Sequence, residues 1–206
     1  MLIKVCGMRE RDNILRVATT GADWMGFIFY SRSTRAITGH ESAIKECPLR
    51  RVGVFVDATV EEMMEKATMY KLDFLQLHGK ESPDTCYALQ KRGFGVIKAI
   101  SVATTDDLAA TTDYEGRVDY FLFDTLCPTH GGSGRQFDWS LLTAYKGGTP
   151  FLLSGGINPS CAEAIHRFSH PLLAGIDINS GFETAPGIKD AEKIRTFIGT
   201  IKNTRI

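Results

Sequence analysis

Two side chains, the thiol of Cys6 and the carboxyl group of Asp124, are the groups of this sequence best suited to paired acid–base chemistry. Each ends an apolar run, Cys6 after Leu2–Val5 and Asp124 after Tyr120–Phe123. A cysteine acts as a base only as thiolate, which nearby positive charge or backbone donors can favour. A carboxyl group in a partly dry pocket can keep its proton and serve as an acid. The competing interpretation is structural: a small buried hydrophobe at Cys6 and a loop cap at Asp124.

Glycine-rich segments follow three consecutive apolar runs late in the chain and predict an anion site. Backbone N–H groups can approach a ligand closely where glycine removes the side chain, and such loops commonly cradle phosphate. A single such loop would be explained equally well by an ordinary turn. Three in succession predict phosphate binding. The candidate phosphate-binding residues are Gly132, Ser133, Gly134, Gly155, Gly156, Ser180 and Gly181.

Four further polar residues have both a functional and a structural interpretation. Arg35 could clamp a substrate carboxylate bidentately, or could be a solvated surface arginine. His78 could carry a proton or orient a loop, and Asp177 stands at the end of an apolar run where it could contact substrate. Lys98, inside an apolar run, could pair with Asp124 or Asp177 or help to bind an anion.

These residues must be positioned by alternating short apolar segments and longer amphipathic segments. The predicted strands are Leu2–Gly7, Trp24–Tyr30, Arg51–Asp57, Phe74–Gly79, Val96–Val102, Tyr120–Thr125, Pro150–Gly156 and Ala174–Ser180. The predicted helices are Glu10–Thr20, Glu41–Cys47, Thr59–Tyr70, Ser82–Arg92, Thr105–Thr112, Trp139–Lys146, Ser160–Phe168 and Asp190–Lys202. Ser82-Pro83 and Asn158-Pro159 are typical helix starts, and Asp138 can cap the segment that follows it.

Eight strand–helix units without an interrupting linker predict an α/β fold, a single-domain (β/α)8 TIM barrel spanning residues 1–206. Functional groups of such barrels lie at the C-terminal ends of the strands, where the candidate residues fall. The structural competitor is a doubly wound open sheet, which more often has fewer strands and a G-x-G-x-x-G turn after the first one.

Composition narrows the choice of partners. The chain has 24 basic and 24 acidic residues, so no overall field favours nucleic acid or an anionic membrane. No apolar run reaches the roughly 18 residues needed to span a bilayer, and the N-terminus resembles a strand rather than a signal peptide. The five cysteines are odd in number and form no C-x-x-C pair, which favours a reducing cytoplasm and no metal site. We expect a monomer or homodimer acting on a small phosphorylated molecule.

Several segments, in order along the chain, resemble phosphoribosylanthranilate isomerase of tryptophan biosynthesis. The resemblance covers almost the whole chain, and this collinearity is far more specific than any single motif. The segments are Lys4–Met8, Gly26–Phe29, Ser33–Arg35, Gly53–Val56, Leu75–Gly79, Phe123–Thr125, Gly131–Gly134, Phe137–Trp139, Leu153–Gly156 and Gly175–Gly181, followed by Glu183, Pro186-Gly187 and Lys189-Asp190.

The resemblance implies an Amadori rearrangement of N-(5-phosphoribosyl)anthranilate to 1-(2-carboxyphenylamino)-1-deoxyribulose 5-phosphate, without metal or organic cofactor. It implies that Asp124 is the acid and Cys6 the base, that Arg35 lies near the anthranilate group, and that the late glycine loops hold the phosphate.

The sequence departs from the family pattern in three places. Thr34 replaces a common proline, Ser133 a common threonine, and Met8-Arg9 a more usual small or polar pair. None of these changes removes a candidate catalytic group.

Two rival functions follow from the same motifs. One is another small phosphate-binding barrel, related to indole-glycerol-phosphate synthase or the tryptophan synthase α chain, in which Cys6 would have no role. The other is a catalytically silent barrel that senses a phosphorylated metabolite. Turnover, as opposed to binding alone, distinguishes them.

Overall fold

A closed barrel of eight parallel strands forms the centre of the computed structural model, which describes residues 1–38, 41–125 and 139–203. The strands pair in sequence order, and β1 closes the barrel against β8. The predicted (β/α)8 barrel is therefore confirmed. The strands are β1 Leu2–Val5, β2 Trp24–Ile28, β3 Arg50–Phe55, β4 Phe74–Leu77, β5 Gly95–Val102, β6 Tyr120–Thr125, β7 Phe151–Ser154 and β8 Leu173–Ile178.

Within the described residues, six α-helices and four 3-10 segments lie between or after the strands of the barrel. The α-helices are α1 Arg11–Ala18, α2 Glu41–Lys45, α3 Val60–Tyr70, α4 Pro83–Gln90, α5 Ala162–Arg167 and α6 Ala191–Asn203. The 3-10 segments are Thr105–Tyr114, Trp139–Ala144, Pro159–Cys161 and Ser180–Phe182. The predicted cap at Ser82 is present, since its hydroxyl accepts from the Thr85 N–H, and Asn158 accepts from the Ser160 N–H. Asp138 lies outside the described residues.

The helices predicted at Thr105–Thr112 and Trp139–Lys146 are present as 3-10 rather than α-helices, at Thr105–Tyr114 and Trp139–Ala144. Their short polar side chains give the physical reason. The hydroxyl of Thr111 donates to the Leu108 carbonyl and that of Thr143 to the Ser140 carbonyl, each three residues back. Such side-chain bonds compete with α-helical bonding, and the tighter turn accommodates them.

Successive side chains of each strand point alternately into the barrel and outwards to the layer beneath the helices. In β6, Phe121 and Phe123 belong to the large core between the barrel and its helices. Leu122, between them, packs in a second cluster with Trp24 and Leu152 inside the barrel. Because successive side chains point to opposite faces, Asp124 shares the inner face with Leu122 and lies at the barrel mouth.

A small antiparallel hairpin, which the sequence did not predict, follows β8. It consists of β9 Glu183–Ala185 and β10 Ile188–Lys189. Gly187 at the turn has φ +82°, a conformation that glycine adopts readily. Asn13 of α1 fixes the hairpin, since its side chain bonds both the N–H and the carbonyl of Lys189.

Candidate active site

A cavity of about 220 Å³ lies at the C-terminal ends of the strands. Of the predicted site residues, it brings together Cys6, His78, Asp124, Asp177, Gly155, Gly156 and Ser180. Its remaining lining residues are Ile28, Val54, Gln76, Ser154, Ile157 and Asn179. The candidate phosphate-binding residues Gly132, Ser133 and Gly134 lie outside the described residues. Cys6, directly after the first strand, and Asp124, in the sixth, therefore face one cavity, as the acid–base pairing requires.

Cys6 lies beside a buried ion pair that joins the first strand to the last. The Lys4 Nζ atom is 2.9 Å from Asp177 Oδ1 and interacts electrostatically with the Cys6 side chain. Lys4 has no exposed side-chain surface, and β1 and β8 pair with Lys4 directly beside Asp177. Sequence reasoning missed the role of Lys4. The available signal was a charged residue two positions before Cys6 in an apolar strand, hence on the same face.

Glycine at position 26 leaves the space that the Cys6 and Lys4 side chains occupy. A Cβ atom there would lie 2.8 Å from Cys6 Sγ and 3.1 Å from Lys4 Nζ. The position therefore excludes any larger residue without moving the thiol or the ammonium group.

Two opposing effects set the protonation of Cys6. Burial raises the pKa of the Cys6 thiol, whereas the positive charges of Lys4 and Lys189 oppose that rise. For Lys4, burial alone lowers the pKa, but Asp177 and Cys6 raise it overall, so the ammonium keeps its charge. The thiol is therefore mostly protonated near neutral pH, and its thiolate, once formed, is a strong base beside a positive charge.

The Asp124 carboxyl group lies beside a histidine rather than beside the lysine considered from sequence. The His78 Nε2 atom lies 3.3 Å from Asp124 Oδ2, and the Gln76 amide nitrogen lies 3.0 Å from His78 Nδ1. Both Asp124 and His78 remain about one-third exposed, so they can reach a ligand in the cavity. Gln76, by contrast, is buried.

Lys98 lies outside the barrel interior and organises the loop after β4. Its Nζ atom donates to the carbonyls of Leu77 and Gly79 and to Glu81 Oε2, at 3.2, 2.6 and 3.1 Å. Of the two interpretations of Lys98, the structure shows a pairing with a carboxylate, but the partner is Glu81 rather than Asp124 or Asp177, because β5 points this side chain towards the loop between β4 and α4. The Glu81 carboxylate also accepts from the backbone N–H of Gly79 and so completes the support of the segment after His78.

Arg35 is oriented by the hairpin after β8. Its Nε and Nη2 atoms donate to the two carboxylate oxygens of Glu183 at 2.8 and 2.7 Å, and Lys189 Nζ lies 2.6 Å from Glu183 Oε1. Burial alone would raise the pKa of Glu183, but the bonds from Arg35 and Lys189 lower it to about 2. Bonds at Nε and Nη2 leave the Nη1 side of the guanidinium available to a ligand. Sequence reasoning noted Glu183 and Lys189 only as parts of a motif.

The glycines after β7 have the backbone conformations that a cradle needs. Gly155 and Gly156 have φ values of +88° and +64°. A residue with a side chain would be strained at such φ values, whereas glycine adopts them readily. Gly181 also permits close packing, since a Cβ there would lie 2.4 Å from the Ile157 carbonyl oxygen. Ser180 and Gly181 thus lie directly against the loop after β7, with Ser180 on the cavity.

Within the described ranges, no cluster of three or more histidine, cysteine, aspartate or glutamate side chains could hold a metal ion. The helices of the same ranges are too short or too polar to cross a membrane. The four described cysteines, Cys6, Cys47, Cys86 and Cys161, are buried free thiols.

Comparisons with known proteins agree along almost the whole chain. The family model of N-(5'-phosphoribosyl)anthranilate (PRA) isomerase matches residues 3–200. The chain is 59% identical over 206 residues to the N-(5'-phosphoribosyl)anthranilate isomerase of Parabacteroides distasonis, covering 98% of this chain and 93% of that one. It is 49% identical to the enzyme of the same name from Phocaeicola vulgatus, over 98% of both chains.

Solved structures agree with the sequence comparison. The crystal structure of phosphoribosyl anthranilate isomerase from Thermotoga maritima superposes with a TM-score of 0.83 at 33% identity, over 98% of this chain and 99% of that one. Another, in complex with reduced 1-(o-carboxyphenylamino)-1-deoxyribulose 5-phosphate, has a TM-score of 0.82 at 31% identity, over 98% of this chain and 100% of that one.

Proposed function

Because the chain belongs to the N-(5'-phosphoribosyl)anthranilate isomerase family, we propose that it isomerises N-(5-phosphoribosyl)anthranilate with Cys6 as base and Asp124 as acid. The product is 1-(2-carboxyphenylamino)-1-deoxyribulose 5-phosphate, an intermediate of tryptophan biosynthesis. The observation that carries the assignment is that a thiol beside an ammonium group and a carboxyl group beside an imidazole line one cavity.

Ring opening requires the acid. Asp124 gives a proton to the ribose ring oxygen, the bond from that oxygen to C1 breaks, and the electron pair stays on oxygen. The anilino nitrogen supplies the electrons for a C1=N bond, which gives an iminium. General acid help of this kind is typically worth about 10²–10⁴-fold in rate.

Carbon deprotonation requires the base. The iminium acidifies the hydrogen on C2, and the Cys6 thiolate removes it to give an enolamine. Proton addition at C1 and loss of the C2 hydroxyl proton then give the ketone and return both side chains to their starting state. Lys4 supports this step, since its positive charge favours the thiolate.

The remaining residues bind the substrate. Arg35, held by Glu183, presents its free edge to the anthranilate carboxylate, and Asp177 contacts the sugar while it keeps Lys4 charged. His78 lies beside the acid. The phosphate occupies the glycine loops at Gly132, Ser133 and Gly134, at Gly155 and Gly156, and at Ser180 and Gly181, where backbone N–H groups favour an anion. No metal or organic cofactor enters this reaction. We expect one catalytic domain, as a monomer or homodimer in the cytoplasm, where thiols stay reduced.

Turnover of freshly generated phosphoribosylanthranilate, followed by fluorescence, tests the function. We expect wild type to be active and Cys6→Ala to lose at least about 10²-fold in kcat, with affinity for the reduced product analogue retained. Asp124→Asn should also lose kcat more than affinity. Cys47→Ala is the matched control, since Cys47 is buried away from the cavity.

Equal kcat in Cys6→Ala and wild type would overturn the base assignment. A wild-type chain that binds the analogue without turning over substrate would instead indicate a metabolite sensor.

A further inference from the structure

Gln76, His78 and Asp124 form a continuous chain of polar contacts from the interior of the barrel to its mouth. Gln76 lies in β4 on the inner face, with 1% of its surface exposed. Its amide nitrogen is 3.0 Å from His78 Nδ1, and His78 Nε2 is 3.3 Å from Asp124 Oδ2. The family's acid–base pair does not include Gln76, so its place behind the histidine needs its own explanation.

The donors and acceptors of this chain select one form of the imidazole. An amide nitrogen only donates, so His78 Nδ1 must accept, and a neutral ring then carries its hydrogen on Nε2. That hydrogen lies on the side of the ring nearest the Asp124 carboxyl group, with 3.3 Å between His78 Nε2 and Asp124 Oδ2. The ring form thus follows from the residue behind it rather than from the carboxyl group in front of it.

The orientation of the Gln76 amide follows from the cost of leaving its groups unpaired. Gln76 Oε1 has no partner among the described residues. If oxygen and nitrogen were exchanged, the oxygen would face His78 and an NH₂ group with two donors would be left without a partner. Buried N–H groups without partners are rarer than buried carbonyl oxygens without partners. The orientation with nitrogen towards His78 is therefore the less costly one.

We propose that Gln76 is a positioning residue that fixes the ring tautomer of His78, so that its Nε2–H donates to Asp124. The benefit to catalysis rests on the function proposed above. After Asp124 has given its proton to the ring oxygen, it is a carboxylate, and a hydrogen bond from a neutral donor to a charged acceptor is stronger than one between neutral groups. His78 gains and loses no proton in this step. It stabilises the conjugate base of the acid.

Other charged groups near the ring do not replace this role. Asp177 lies close enough to interact electrostatically with both His78 and Asp124, but its own hydrogen bond is with Lys4. Lys98 and Glu81 bind the backbone of the loop after His78 rather than its ring. Gln76 is the residue that contacts Nδ1.

Nitrogen-15 NMR of the histidine rings in the full chain tests the tautomer directly. At about pH 8.5, where an ordinary imidazole is neutral, we expect the wild-type His78 signal to show a protonated Nε2 and an unprotonated Nδ1. The chain has five histidines, and His78→Asn identifies the signal. Gln76→Met should give a mixture of tautomers, and Gln76→Glu should shift the hydrogen to Nδ1. A wild-type Nδ1–H ring, or an unchanged ring in both variants, would overturn the proposal.

Kinetics provide the second measurement. We expect kcat to fall roughly 10- to 100-fold in both Gln76→Met and Gln76→Glu, with KM changed less than threefold, since the general acid contribution is about 10²–10⁴-fold. Gln76→Glu preserves the size of the side chain and removes its N–H donor. It therefore distinguishes loss of the hydrogen-bond donor from a change in packing. Wild-type kcat in Gln76→Glu would contradict the proposal. Absence of turnover in wild type would contradict the proposed function, while the NMR result would still decide the role of Gln76.

Discussion

At the scale of single residues, the site depends on charges that are placed where water cannot reach them. Lys4 has no exposed side-chain surface, yet it stays charged because Asp177 and Cys6 both favour its ammonium form. A buried charge is tolerated only with such partners. The ion pair thus keeps a positive charge beside Cys6. That charge favours the thiolate, whereas burial alone would raise the pKa of the thiol further.

The pH dependence of turnover should report this arrangement. The reaction needs a Cys6 thiolate and a protonated Asp124 in the same molecule, so kcat/KM should have a bell-shaped pH profile whose alkaline limb is set by the raised pKa of Cys6. Lys4→Met removes the opposing positive charge, so this limb should move to higher pH and the neutral-pH rate should fall about tenfold or more. A pH–rate profile of both proteins checks this.

The control for that profile is the double variant Lys4→Met with Asp177→Asn. The second change removes the Asp177 carboxylate, which Lys4→Met alone would leave buried without its partner. The double variant should keep the shifted profile if the ammonium acts on the thiol. A profile that returns to the wild-type position would assign the effect to Asp177 instead.

At the scale of elements, β2 and the hairpin of β9 and β10 position groups that lie on other strands. β2 contributes space, because Gly26 has no side chain where Cys6 and Lys4 meet. The hairpin contributes a carboxylate, because Glu183 binds both Arg35 and Lys189. Both contributions come from residues that carry no chemistry of their own.

Gly26→Ala should reduce kcat/KM by about 100-fold, because a misplacement of the order of 1 Å at a reacting group can cost that much. The new Cβ would lie 2.8 Å from Cys6 Sγ and 3.1 Å from the Cys6 backbone. Gly199→Ala is the matched control. Gly199 lies in α6 with open space around it, so this change should leave kcat/KM unaltered and stabilise the protein by about 0.5–1 kcal/mol. Equal activities of the two variants would refute the close-packing argument.

The acid stability of the protein should depend on Glu183. Its pKa is lowered from 4.5 to about 2, so its contribution to the free energy of unfolding is complete above about pH 4.5 and is lost as the pH falls towards 2. Glu183→Gln should be less stable than wild type at pH 7 by roughly 1–3 kcal/mol, and the difference should shrink in acid. Denaturant unfolding between pH 2 and 7 measures both. Parallel stability profiles would contradict the assignment.

At the scale of the whole molecule, the aromatic layer between the barrel and its outer elements carries much of the core. Phe121 and Phe123 stack at 5.8 Å between ring centroids, and Phe123 packs on Phe151 at 4.9 Å. All three are fully buried. This layer lies on the outer face of the strands, away from the cavity. The side chains that stabilise the core and those that line the active site therefore lie on opposite faces of the same strands.

Phe121→Ala should therefore reduce stability without altering the chemistry. Loss of a buried phenylalanine costs about 3–5 kcal/mol, or roughly 10 °C in Tm for a chain of this size. Thermal unfolding and kcat of the folded fraction check this. Tyr87→Ala, at a position that is 42% exposed, is the control and should change stability by less than about 1 kcal/mol. A fall in kcat with Phe121→Ala would show that the two faces are not independent.

The sequence predicted the order and position of all eight strands, because each is a short apolar run. It also identified Cys6 and Asp124 as facing the same end of the barrel. It did not predict the partners of these residues, since Lys4 and Asp177 are 173 positions apart, and Arg35 and Glu183 are 148 apart. Such pairs depend on the register between strands and on how the hairpin docks, and neither is encoded in local periodicity. The sequence predicted helices at Thr105–Thr112 and Trp139–Lys146 but not their 3-10 type, which depends on single hydroxyl bonds.

The pairing of β1 with β8 has a consequence for synthesis of the chain. The cation lies on the first strand of the barrel, with the base directly after it, whereas the carboxylate that pairs with the cation, Asp177, lies on β8, 173 positions after Lys4. Lys4 and Cys6 therefore stay exposed to water in a nascent chain until β8 has been synthesised. Synthesis of β8 thus determines when the catalytic centre can form.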